Sequence, residues 1–118
     1  MRESSDQEKI FGVMRVLGEK ITKPLNVYFV GGTTAVLLGF RARTIDIDLK
    51  FEPDIDEVYR MIRDLKESLH VNIELASPDH FIPPLPGWES RSLFINKIGK
   101  VSFYHYDLYS QVLAKVER

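Results

Sequence analysis

Three acidic side chains define the chemistry this sequence suits. Asp46 and Asp48 stand two residues apart in TIDIDLKF, which alternates apolar and polar positions as a β-strand does. On a strand both side chains leave the same face, roughly 6–7 Å apart at the backbone. Like charges held that close repel, so the pair needs a purpose beyond keeping one face wet. A hard cation such as Mg²⁺ supplies one, because it prefers oxygen ligands and keeps waters that phosphate oxygens can replace. Glu74 falls on the polar face of the next expected strand, VNIELA. If the two strands are neighbours, Glu74 becomes a third carboxylate at the same place. Carboxylates around two Mg²⁺ ions about 4 Å apart form a phosphoryl-transfer site, one ion for the attacking oxygen and one for the leaving phosphates. Asn72 shares a face with Glu74 and competes with it as a poorer ligand.

Upstream, Gly31-Gly32 follows the β-prone run NVYFV and precedes a short apolar stretch ending at Gly39. A strand, a glycine pair and a helix start turn backbone N–H groups towards an anion, and glycine lets a phosphate approach closely. Thr33 and Thr34 suit capping of that helix and hydroxyl contacts to the phosphates. Arg41 and Arg43 suit two roles: clamping a triphosphate, or neutralising Asp46 and Asp48 in its absence. Metal ligands beside a phosphate cradle describe a nucleoside triphosphate (NTP) site.

The elements that must hold these residues follow from periodicity. Ile10, Met14, Leu17 and Ile21 draw one helical stripe over residues 6–21, and Pro24 stops it. Residues 26–30 form a buried strand, and a short helix runs from Thr33 or Thr34 to Leu38. Residues 44–51 form the acidic strand, with Ile45, Ile47 and Leu49 inward. Pro53-Asp54 opens an amphipathic helix burying Ile55, Val58, Tyr59, Ile62, Leu65 and Leu69. Residues 71–76 alternate again. Prolines crowd residues 78–86, so SPDHFIPPLPGWES, residues 77–90, is an extended connection carrying Phe81, Leu85 and Trp88. It serves as a lid or docking surface, or as a stiff link packing its aromatics on the core. Residues 91–95 and 101–106 form a hairpin, and a last helix from Asp107 carries Lys115, either solvated or set against phosphates. His70, His80 and His105 show no ligand spacing and read as structural or surface residues. The expected fold is α/β (α+β): a mixed sheet of about 4–5 strands with helices mainly on one side.

Composition narrows the classes. The 118 residues suit a single domain, 1–118, and the last helix ends with the chain, as in a fragment or a protein that completes its site by self-association. A net charge of −1 announces no global nucleic-acid field, so any such contact rests on local clusters. Without cysteine there is no thiolate zinc site and no cysteine nucleophile, which fits a cytoplasmic setting. No apolar run reaches the roughly 20 residues of a membrane span.

Val30-Gly31-Gly32, thirteen residues, then Asp46-Ile47-Asp48-Leu49 resembles the signature of the nucleotidyltransferase superfamily. GGTTAVLLGFRARTIDIDL and ELASPDHFIPPLPGWESRS are similar to a small prokaryotic branch related to AbiEii-type toxins and minimal nucleotidyltransferases. The resemblance runs from Val27 to the last helix. It implies the polymerase-β-like fold and Mg²⁺-dependent transfer of a nucleoside monophosphate from an NTP to an acceptor hydroxyl, with pyrophosphate released. Asp46, Asp48 and Glu74 are then the expected catalytic and metal residues, with Glu74 orienting or deprotonating the acceptor. Gly31, Gly32, Thr33 and Arg43 are the expected nucleotide-binding residues. Glu74 departs from the superfamily's usual third aspartate. The alternative is a nucleotide- or partner-binding member without turnover, such as a toxin–antitoxin component. The acceptor (RNA, protein or small molecule) is left open, and partners include a second copy or an antitoxin-like protein.

Overall fold

The computed structural model describes residues 5–75 and 86–107. The proline-rich residues 78–85 with His80, and the expected last helix with Lys115, lie outside them. Within the described residues, helix α1 (Gln7–Lys20) is capped by Asp6, whose carboxylate accepts the N–H of Lys9 at 3.0 Å. Strand β1 (Leu25–Val30) leads into helix α2 (Gly32–Leu37), and strand β2 (Asp46–Glu52) into helix α3 (Asp56–Ser68). Strand β3 (Asn72–Leu75) precedes helix α4 (Trp88–Arg91), and the hairpin β4 (Leu93–Ile98) and β5 (Val101–His105) follows.

The five strands make one mixed sheet in the order β3-β2-β1-β5-β4. β1 pairs antiparallel with β2 and parallel with β5, while β2 pairs parallel with β3. Strand alternation assigns the two faces. Val27, Phe29, Ile47, Leu49, Ile73, Val101 and Phe103 pack in one core with Ile10, Val13, Met14 and Leu17 of α1 and Val58, Ile62 and Leu65 of α3. The opposite face carries Tyr28 and Val30, which Trp88 of α4 and Tyr106 cover. The expected mixed sheet with helices mainly on one side is therefore the observed architecture. No helix of the described residues is long and apolar enough to cross a membrane.

Some placements differ from expectation, and Tyr59, read as part of the buried side of α3, is 43% exposed. Ile45 is 60% exposed, because the acidic strand begins only at Asp46. Thr44 is held instead in a two-way backbone bridge with Ser5 (2.6 and 2.8 Å), and this breaks the pleat that would have turned Ile45 inward. The four-residue α4 appears where an extended connection was expected. Its Trp88 ring meets Tyr28 edge-on at 5.0 Å. Arg91 donates to the buried Asp107 from Nε at 2.9 Å and Nη2 at 2.6 Å, fastening α4 to the end of β5. The Pro pattern cannot announce a helix whose anchor lies sixteen residues further on.

Candidate metal centre

Strand register brings the three carboxylates together. In the parallel β2–β3 pair Asp46 lies opposite Asn72 and Asp48 opposite Glu74, so all four side chains share the face away from the main core. Ligand oxygens from Asp46, Asp48 and Glu74 lie within 4.8 Å of one another. Asp46 and Asp48 are partly buried, whereas Glu74 is exposed. Both residues that competed for the third position are present: Asn72 donates through Nδ2 to Asp46 Oδ1 and, at 3.4 Å, to Glu74 Oε1.

The opposite strand supplies the glycine turn. Val30 pairs with Asp48, so the end of β1 arrives beside that carboxylate. Gly31 caps α2 with φ 62° and ψ −132°, a conformation L side chains seldom adopt. A Cβ added there would stand 3.5 Å from Asp48 Oδ2. Gly31→Ala therefore strains the turn that faces the acids, and a loss of about 1–2 kcal/mol in urea unfolding is expected. Unchanged stability would mean that the turn relaxes freely.

Thr33 behaves differently from its expected role. It is fully buried, and its hydroxyl accepts the N–H of Asp48 at 3.0 Å and donates to the carbonyl of Asp46 at 3.4 Å. It thus stitches α2 to the acidic strand and leaves no hydroxyl for a phosphate. Thr34 is committed too, donating to the Phe29 carbonyl at 3.0 Å and lying 3.3 Å from His105 Nδ1. His105 is buried, which lowers its pKa and fits the structural role expected of it.

The arginines separate. Arg43 is exposed in the loop before β2, with no hydrogen bond or ion pair among the described residues. Arg41 folds back so that its Nη1 would lie 3.0 Å from a Cβ on Gly32. The glycine turn therefore adjoins Arg41, a distinction that two arginines flanking one alanine could not reveal. Lys50, two residues beyond Asp48 on the same face, places Nζ 5.1 Å over the Trp88 ring and 3.9 Å from Glu52.

Electrostatics mark Asp48 as the strained member. Burial first, then the charges of Asp46 and Glu74, push its carboxyl from the ordinary 3.8 up to about 6. The donor set is three hard carboxylates, which fits Mg²⁺ and would suit a soft metal poorly. No family model, curated protein or solved structure matches the chain.

Proposed function

We propose that the protein is a Mg²⁺-dependent nucleotidyltransferase that moves a nucleoside monophosphate from an NTP to an acceptor hydroxyl. The observation that carries this is the convergence of Asp46, Asp48 and Glu74 within 4.8 Å, with Gly31 against Asp48. Asp46 and Asp48 are the residues to hold two Mg²⁺ ions, with Glu74 as third ligand. Bound Mg²⁺ would offset the triphosphate's charge and make the acceptor oxygen a better nucleophile.

The chain's own groups fill the remaining roles. The Gly31-Gly32 turn offers close backbone approach to the triphosphate, and Arg41 beside it is better placed than Arg43 to meet phosphate oxygens. Glu74, the exposed member, faces solvent from which an acceptor arrives and takes the hydroxyl proton. The acceptor oxygen bonds to the α-phosphorus, the bond from that phosphorus to the bridging oxygen breaks, and pyrophosphate leaves with the electron pair. Thr33 keeps α2 and β2 in register for this. The cytoplasm, which supplies both NTP and Mg²⁺, is the proposed setting.

One observation favours a second reading. Asn72 donates to Asp46 and Glu74, an internal partner that a binding protein without turnover, such as a toxin–antitoxin component, would retain. Incubation with each α-labelled NTP, Mg²⁺ and a cell lysate decides between them. Transfer predicts labelled acceptor and an equal amount of pyrophosphate, both lost in Asp48→Asn. Tight nucleotide binding with neither product supports the second reading.

A further inference from the structure

The loop joining α2 to β2 carries a side-chain group the proposed chemistry leaves unused. Phe40 is 81% exposed, the most exposed of the large apolar residues described. Its backbone is nevertheless fixed. The Gly39 N–H bonds the Val36 carbonyl at 3.1 Å and the Phe40 N–H bonds the Ala35 carbonyl at 2.8 Å, with Gly39 at φ 86°. This is the Schellman closure of a helix, in which the residue at the Phe40 position commonly packs back on the position occupied here by Ala35. Alanine is too small to hold a phenyl ring, and the ring stands in solvent on a rigid turn. Arg41 and Arg43 follow, both exposed, and residues 37–45 contain no acidic residue in a chain of net charge −1.

We infer that Phe40, Arg41 and Arg43 form a binding strip for single-stranded nucleic acid. An aromatic ring stacks on any base, and guanidinium groups meet the phosphates that flank it. A fixed backbone lowers the entropy cost of presenting the ring. The strip also adjoins the proposed nucleotide site. Arg41 lies beside Gly32 and lines a hollow with Asp6 and Glu8. A strand on Phe40 therefore passes next to the glycine turn. Its role as the acceptor rests on the nucleotidyltransferase reading; its binding does not.

Fluorescence anisotropy of a labelled single-stranded oligonucleotide of about ten nucleotides, as RNA and as DNA in separate arms, tests this in Mg²⁺ without NTP. Saturable binding is expected, with Phe40→Leu weaker by about 5- to 100-fold and Phe40→Trp close to wild type. Arg41→Gln and Arg43→Gln should each flatten the salt dependence by about 0.7 in log K against log salt. These side chains are exposed, so melting curves should show all four variants folded. Absence of saturable binding by either strand, or equal binding by wild type and Phe40→Leu, overturns the strip; the latter would point to a protein partner or diffuse attraction. Mg²⁺-dependent NTP binding, measured on wild type, Phe40→Leu and Arg43→Gln, reports on the carboxylates separately; Arg41 adjoins the glycine turn, so Arg41→Gln is expected to lower both. Strand binding lost with NTP binding kept removes this inference alone, and the reverse removes the nucleotidyltransferase reading alone.

Discussion

Replacing Asp48 by asparagine should make the metal-free protein more stable at neutral pH. The wild-type carboxyl has its pKa raised to about 6 by burial, Asp46 and Glu74, so the native state binds that proton more tightly than the unfolded chain. Between roughly pH 4 and 6 the native state then holds more protons, and stability falls as pH rises through that window. The penalty is absent below the ordinary pKa and complete above about 7. Two pH units correspond to a ceiling of about 3 kcal/mol, and screening at a partly exposed site reduces it to about 1–3 kcal/mol. Asp48→Asn keeps the shape and the backbone N–H bonded to Thr33 but loses the charge. Its stability advantage should be negligible near pH 4 and largest above pH 7, worth roughly 4–12 °C in melting temperature. Wild type alone should also gain about 2.7 kcal/mol from Mg²⁺ at a hundred times its Kd. If the carboxylate were a structural anchor, the variant would melt lower at every pH and neither protein would respond to Mg²⁺.

The second large effect concerns nucleotide. A triphosphate arriving at three carboxylates meets repulsion of about 4 kcal/mol per close charge pair at an effective dielectric of 20. Arg41 offsets part of it. Affinity for a non-hydrolysable NTP analogue should therefore fall about 100- to 1,000-fold when Mg²⁺ is replaced by excess chelator at matched ionic strength. Arg41→Gln should weaken binding in Mg²⁺ more than Arg43→Gln, since Arg41 Nη1 lies beside Gly32. Calorimetry showing equal affinity with and without Mg²⁺ would identify an ordinary anion pocket.

Much of this site was legible because strand alternation is a strict rule. Once residues 46–50 alternate, Asp46 and Asp48 must share a face, and the same holds for Asn72 and Glu74. What alternation cannot supply is adjacency. That β3 lies next to β2, runs parallel to it and puts Glu74 opposite Asp48 depends on the crossover through α3, whose apolar side must cover both strands. The glycine pair was recognisable as a turn, but its two members do different work. Gly31 supplies the backbone angle, while Gly32 makes room for Thr44 and Arg41. Thr33 misled for a related reason: a hydroxyl at a helix start suits a cap or a phosphate equally well as a cross-link to a strand thirteen residues away. Ile45 misled because the bridge from Ser5 to Thr44 is a long-range contact that local periodicity does not register. Trp88 was visible as an aromatic in a proline-rich stretch, yet its place under Tyr28 required the Arg91–Asp107 anchor.

The central claim is that these carboxylates bind divalent cations together with a triphosphate. Mn²⁺ can stand in for Mg²⁺ at oxygen sites, and the free ion has an electron paramagnetic resonance signal that diminishes on binding. Titrating Mn²⁺ into the protein with a saturating non-hydrolysable NTP analogue, and counting ions beyond those the analogue binds alone, tests it most directly. Wild type should approach two ions per protein–nucleotide complex, with Asp48→Asn and Asp46→Asn losing most of that binding. No protein-dependent loss of the free Mn²⁺ signal, or an equal loss in wild type and both variants, would contradict the account.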